Sequence, residues 1–202
     1  MRSSSQPSPI EVLVLAGGKA TRFPDKLRHP VGQVPMLVRV CRTFSSSYPT
    51  YISCGVQDIA QLDALENCTV VADRWTDRGP LGGVVSTMEV MQSSFVFVIA
   101  GDMPFVEISL IALLRSHLAG AQAVVPVHDD GGVRRTAPLA ALYARDAFLR
   151  EGSALLENGQ AAIHGVLDRL VVRYVPMTQS WMLRNINTPT DYVRYCHMRS
   201  VQ

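Results

Sequence analysis

The sequence predicts an α/β fold: a three-layer, mostly parallel, doubly wound sheet with one local antiparallel hairpin. Three observations predict it. Short β-branched runs recur along the chain, most without polar alternation, as strands covered on both faces require. Segments with apolar residues at helical spacing lie between them. The stretch 122–143 breaks that rhythm with a turn cluster and a second β-rich run.

Taken in order, "MRSSSQPSPI" (1–10) is rich in Ser and Pro and reads as a disordered tail, leaving 11–202 as a single domain. "EVLVLA" is the first strand. Glu11 interrupts its start, and the run is too short for the core of a secretory signal. Met36, Leu37, Val40, Cys41 and Phe44 form the apolar stripe of a first helix. The strands "TYISCG" and "TVVAD" follow, then a stripe of Leu81, Val84, Val85, Met88 and Met91. "FVFVIAGD" precedes a third stripe, Leu110, Leu113, Leu114 and Leu118. In the irregular stretch "QAVVPV" leads into the turn "HDDGG", and "RRTAPLAALY" returns beside it as an antiparallel strand. A helical segment 145–169, a strand 171–175 and a helix opening near Pro189 complete the chain; proline suits a first helical turn. Strands alternating with helices imply right-handed βαβ crossovers.

Composition narrows the function classes. Hydrophobic residues make up 48% and charged residues 18% of 202 positions, the balance of a soluble domain with a sizeable core. A net charge of +2 is too small for a general nucleic-acid or acidic-membrane binder. No apolar run approaches the ~18 residues of a membrane span. The four cysteines (41, 54, 68, 196) contain no CxxC pair and read as reduced core thiols of a cytoplasmic protein. The five histidines show no ligand spacing and read as structural or solvated. With no GxSxG elbow, HExxH helix or zinc cysteine set, hydrolase and zinc-enzyme readings fall away.

Open α/β sheets bind ligands beyond the carboxyl ends of their strands, so the residues delivered there matter most. The first strand delivers Leu15, Ala16, Gly17 and Gly18, followed by Lys19, Arg22 and Lys26. Glycines let backbone N–H groups approach an anion, and the basic side chains supply charge. Neither a P-loop nor GxGxxG is present, and alone the stretch favours an ordinary βα turn over a phosphate cradle. Asp73 ends "TVVAD" either as a turn-former or cap, or as a carboxylate for a base edge. "GPLGG" is either loop-to-helix geometry or the seat of an anion at a helix N-terminus. Asp102 ends a fully apolar strand, where its charge is costly unless compensated. A Mg²⁺ ion shared with phosphate oxygens is one standard compensation, and a cap on a helix near Val106 is the other reading. The metal reading is favoured because Asp102 and the glycine pair fall on one side of the sheet. Asn185 and Asn187, in "LRNINTPTDYV", are either capping devices or hydrogen-bond partners for a substrate at a cleft rim. Asp191 complements the dipole of the last helix.

"LAGGKATRFPDK", "GPLGG", "GDMPF", "APLAALY" and "RNINTPTD" follow one another in an order that resembles the MobA-like NTP transferases, the molybdenum cofactor guanylyltransferases. The likeness runs over nearly the whole chain after the tail. It implies a Rossmann-like sheet of the nucleotide-diphospho-sugar transferase kind. It also implies transfer of GMP from GTP to molybdopterin (Mo-molybdopterin), releasing pyrophosphate with Mg²⁺. By that pattern Leu15, Ala16, Gly17 and Gly18 hold the nucleotide through backbone groups, Lys26 contacts its phosphates, Asp73 helps bind guanosine and Asp102 carries Mg²⁺. Arg22, Lys26 and Asp102 are then the catalytic set, while Asn185, Asn187 and the hairpin face the pterin. GTP, molybdopterin and molybdoenzyme chaperones are the implied partners. Two positions differ from the family pattern. "RFPDK" replaces a longer RMGxDK, with Pro24 where glycine is usual, and Ser53 and Gly55 follow the second strand where an asparagine is common. Transfer from CTP, transfer to cobinamide phosphate or a sugar phosphate, and a non-catalytic nucleotide-binding module in cofactor insertion stand as alternatives.

Overall fold

The structure is a computed structural model and describes residues 10–17, 23–55, 65 and 67–196. Most of the expected tail lies outside these residues; Ile10, counted with it from sequence, is the first residue of the first strand.

One mixed sheet organises the chain. Its strands are β1 (Ile10–Leu15), β4 (Thr50–Cys54), β5 (Cys68–Ala72), β6 (Phe95–Ala100), β7 (Ala123–Asp130), β8 (Val133–Thr136), β9 (Ala140–Ala144) and β10 (Val172–Pro176). Across the sheet they run β10-β7-β9-β6-β1-β4-β5, and β8 pairs with β7. The β6, β1, β4 and β5 strands are mutually parallel, and β9 inserts antiparallel between β6 and β7. The expected hairpin is therefore present, its return split into β8 and β9. A separate two-stranded ribbon joins β2 (Pro30–Val31) to β3 (Val34–Pro35).

The unbroken apolar strands are explained by the two layers that cover them. On β1, Val12 and Val14 enter one core cluster while Leu13 and Leu15 enter the other. The first layer includes α1 (Met36–Ser45), whose predicted stripe is buried throughout, and α3 (Ser109–Arg115). The second includes α2 (Gly79–Met88), α4 (Arg145–Glu157) and α5 (Ile163–Leu167). The chain closes with α6 (Pro189–Cys196).

Two helical expectations are corrected. On α3 the buried face is Leu110, Ile111 and Leu114, whereas Leu113 is 38% exposed. The predicted helix over 145–169 is broken after Glu157, where Gly159 takes φ +78° and the chain turns into α5. Glu11, which interrupts the first strand's pattern, is buried. It accepts hydrogen bonds from Tyr51 Oη (3.2 Å) and from the backbone N–H groups of Gln92 and Ser93 (2.9 Å each).

Candidate active site

The site forms where the carboxyl ends of β1 and β6 lie side by side. Leu15 pairs with Ala100, and the N–H of Gly101 donates to the Leu15 carbonyl at 2.9 Å. A Cβ on Gly101 would stand 2.9 Å from that same oxygen, so only glycine allows the strands to close here. This brings the turn that follows Leu15 to the same end of the sheet as Asp102. The Ala16 N–H is taken by the Ser53 carbonyl (2.8 Å), which seats the turn on β4. Gly18 and Arg22 lie outside the described residues.

The chain next enters view at Phe23. Asp25 adopts φ 51°, in the left-handed region, and starts a short 3-10 turn, Lys26–Arg28. That turn aims Lys26 at Asp102: Nζ lies 2.5 Å from Oδ2 and also donates to Asn187 Oδ1 at 2.9 Å. Asn185 Nδ2 donates to the other carboxylate oxygen, Oδ1, at 2.7 Å. The Ile186 N–H donates to the Asp102 backbone carbonyl at 2.9 Å. Lys26, Asp102, Asn185 and Asn187 thus form one network, with each Asp102 oxygen bonded to a donor. The Lys26 and Asp102 side chains are 18% and 12% exposed, so the charges meet in a partly desolvated setting. Lys26 compensates the charge of Asp102 across this contact.

The two asparagines are not capping devices. Thr188 and Asp191 make that cap reciprocally. Thr188 Oγ1 accepts the Asp191 N–H (3.1 Å), and Asp191 Oδ2 accepts those of Thr188 (2.9 Å) and Asn187 (3.1 Å). With α6 capped, Asn185 and Asn187 turn to the network, while Ile186 between them is fully buried on the other side. An alternating Asn-apolar-Asn run in extended chain is a sequence signal for such a split.

The "RFP" segment has a structural role. Phe23 joins His29 and Tyr192 in an aromatic clasp, with centroids 4.5 Å (Phe23–His29), 6.0 Å (Phe23–Tyr192) and 5.7 Å (His29–Tyr192) apart. The Tyr192 hydroxyl donates to the Pro30 carbonyl. The loop bearing Lys26 is thereby pinned to the helix that follows Asn187. No single-residue signal in the sequence announces this clasp.

Asp73 stands apart from the network: it follows β5, three strands along the sheet from β6, at the same carboxyl end. Its Oδ1 accepts the Trp75 N–H (2.8 Å) and the Ser86 hydroxyl (3.1 Å), which is the turn-forming role. "GPLGG" is first of all packing: a Cβ on Gly82 would meet the Trp75 carbonyl at 2.7 Å, and one on Gly83 would meet Ser53 Oγ at 2.6 Å. In "APLAALY" the strand residues Ala140 to Tyr143 are core, and the Leu139 carbonyl accepts the Ala100 N–H at 2.9 Å.

Among the described residues no three His, Cys, Asp or Glu side chains gather as a metal cluster. A lone carboxylate does fit Mg²⁺, which commonly binds through one or two carboxylates and substrate phosphates.

Comparison with known proteins identifies the family and the fold. A family model described as the MobA-like NTP transferase domain matches residues 12–173. A probable molybdenum cofactor guanylyltransferase of Chloroflexus aggregans is 30% identical over 191 residues, 89% of each chain. One from Natronomonas pharaonis is 27% identical over 194 residues, 90% of this chain and 94% of the relative. The crystal structure of molybdopterin-guanine dinucleotide biosynthesis protein A from Archaeoglobus fulgidus superposes with a TM-score of 0.81 at 26% identity, covering 95% of this chain and 100% of that one. A 4-diphosphocytidyl-2C-methyl-D-erythritolsynthase from Anaerococcus prevotii shares the fold, with a TM-score of 0.77 at 13% identity, covering 96% of this chain and 100% of that one. With a matching family model over most of its length, this chain belongs to the MobA-like NTP transferase family.

Proposed function

We propose that the chain is a Mg²⁺-dependent guanylyltransferase that moves GMP from GTP onto the terminal phosphate of molybdopterin and releases pyrophosphate. The observation that carries the reaction class is the network of Lys26, Asn185 and Asn187 around Asp102, beside the glycine turn of β1. The base and the acceptor rest on the full-length likeness to proteins named guanylyltransferases.

The acceptor phosphate is an anionic nucleophile already, so the transfer calls for in-line positioning and charge neutralisation rather than a dedicated base. In this reading the glycine turn after Leu15 receives the triphosphate, and Lys26 with Arg22 offsets the charge that grows on the leaving pyrophosphate. Asp102 is the residue that would hold Mg²⁺, which when bound supplies further neutralisation of the phosphate oxygens. Asn185 fixes the orientation of the Asp102 carboxylate, and Asn187 steadies the Lys26 ammonium. Asp73 contributes by holding the turn between β5 and α2 that borders the nucleoside side. A pyrophosphate-release assay with molybdopterin and each of GTP, CTP, ATP and UTP tests this reading. Release with GTP alone is expected; equal release with CTP, or none with any nucleotide, would overturn it.

A further inference from the structure

Cys41 and Cys68 lie at the other end of the sheet from the network around Asp102. Cys68 opens the edge strand β5, while Cys41 and Ser45 sit one turn apart on α1 and so present their side chains to the same neighbour. Ser45 and Cys68 line one pocket, and Cys41, one turn back on the same face of α1, packs in the cluster that Cys68 borders. Both cysteines carry free thiols and belong to the same packed cluster, Cys41 in its buried interior and Cys68 half-buried at its margin. A pocket of about 510 Å³ opens beside them, lined by Ser45, Tyr48, Tyr51, Asn67, Cys68 and Thr69. Cys68 therefore faces an accessible pocket and Cys41 packs behind it. Cys54, the other described cysteine, is 1% exposed and does not line this pocket.

We propose that Cys68 is a site of oxidation by hydrogen peroxide and that Cys41 resolves it, closing a Cys41–Cys68 disulfide between α1 and β5. The neighbouring Cys41 and Ser45 side chains favour the Cys68 thiolate, the nucleophilic form of cysteine. The Cys41 hydrogen bond, opposed by burial and aided by Ser45, brings the Cys68 thiol down to about 7. In the first step the Cys68 thiolate attacks one peroxide oxygen. The O–O bond breaks, hydroxide leaves and is protonated to water, and Cys68 becomes a sulfenic acid. In the second the Cys41 sulfur attacks the Cys68 sulfur. The S–S bond forms, the S–O bond breaks, and the departing hydroxide takes the Cys41 proton as water. Two thiols lose two electrons and one peroxide is reduced to two waters. The bond would tether the helix that follows the Lys26 loop to the strand that leads to Asp73.

The test is peroxide titration of the whole, unmutated chain, read by intact mass and by peptide mapping. The expected product is about 2 Da lighter, carries a 41–68 cross-link and reverts with dithiothreitol. It should also melt at a higher temperature than the reduced protein. In Cys41→Ser the sulfenic acid should persist on Cys68, where dimedone traps it. Addition of oxygen to Cys68 in the unmutated protein without a cross-link would overturn the proposal. So would a cross-link through Cys54 or Cys196, or oxidation of those two as fast as Cys68. Should Cys41→Ser fail to fold, the 41–68 map decides alone.

Discussion

Lys26 Nζ and Asp102 Oδ2 are 76 positions apart in sequence and 2.5 Å apart in space, and Asn187 holds the same ammonium from the other side. A cation held by Asp102 would meet the positive charge of Lys26 at Oδ2 and compete with it there. On this view Lys26→Met has two opposite effects. Turnover should fall by at least about a hundredfold, because charge on the leaving group goes uncompensated. Mn²⁺ binding, followed by its electron paramagnetic resonance signal, should tighten by about five- to tenfold, because a competing positive charge is gone. Unchanged or weaker Mn²⁺ binding would refute the competition. Asp102→Asn should lose both properties.

Asn185 is expected to act through Asp102 rather than on substrate. Its amide fixes Oδ1 at 2.7 Å and so orients the carboxylate. Asn185→Ala should lower kcat and weaken Mn²⁺ binding by about ten- to a hundredfold each, as loss of a ligand-orienting partner does. KM for GTP should barely move. A rise in acceptor KM at constant Mn²⁺ affinity would return Asn185 to the substrate side.

Much of this arrangement is legible in the sequence. An acid ending the apolar run Phe95–Ala100 marks Asp102, and glycines after Leu15 mark the neighbouring turn, since both features are local. What stays hidden depends on partners far along the chain. Nothing near Asp102 says that Lys26 will neutralise it, and nothing near Gly82 or Gly83 says that Trp75 and Ser53 will crowd them. Leu113 and Ile111 are equally apolar, so the choice of buried face on α3 falls to the sheet beneath. The break after Glu157 is masked because Ile163, Val166 and Leu167 continue an apolar pattern into a separate helix.

The aromatic clasp should set the position of Lys26. Tyr192 touches both Phe23 and His29 and also bonds the Pro30 carbonyl. Tyr192→Ala should destabilise the fold by about 2–4 kcal/mol and raise KM for GTP. Tyr192→Phe keeps the ring and should cost about 1 kcal/mol, the worth of one hydrogen bond. Urea unfolding and steady-state kinetics on the same preparations separate the two. If Tyr192→Ala loses stability while KM stays fixed, the clasp supports α6 without positioning the loop.

Glu11 should be a stability residue with no part in turnover. Glu11→Ala strands the buried N–H of Ser93 and that of Gln92, and should cost about 2–4 kcal/mol. Glu11→Gln retains an acceptor and should recover part of that loss. Equal urea midpoints for both variants would show that charge, not hydrogen bonding, is what the site requires.

Tyr143 should make the protein sensitive to alkali. Its hydroxyl is fully buried in the core and donates to the Pro138 carbonyl at 2.7 Å. Burial, with a smaller push from Tyr174, raises its pKa well above the usual tyrosine value. Below about pH 10 the group is protonated in both the folded and the unfolded chain, and its contribution is complete. Above that the unfolded chain releases the proton and the folded one retains it. Stability then falls by about 1.4 kcal/mol per pH unit until the folded group also ionises. Tyr51 is shifted the same way, by burial first and by the Glu11 carboxylate second, and adds to the slope. Tyr143→Phe should cost about 1 kcal/mol at pH 7 for the lost hydrogen bond, yet flatten the decline between pH 10 and 11. Urea midpoints at pH 7, 9, 10 and 11 give the comparison, and parallel curves for the two proteins would place the alkaline sensitivity elsewhere.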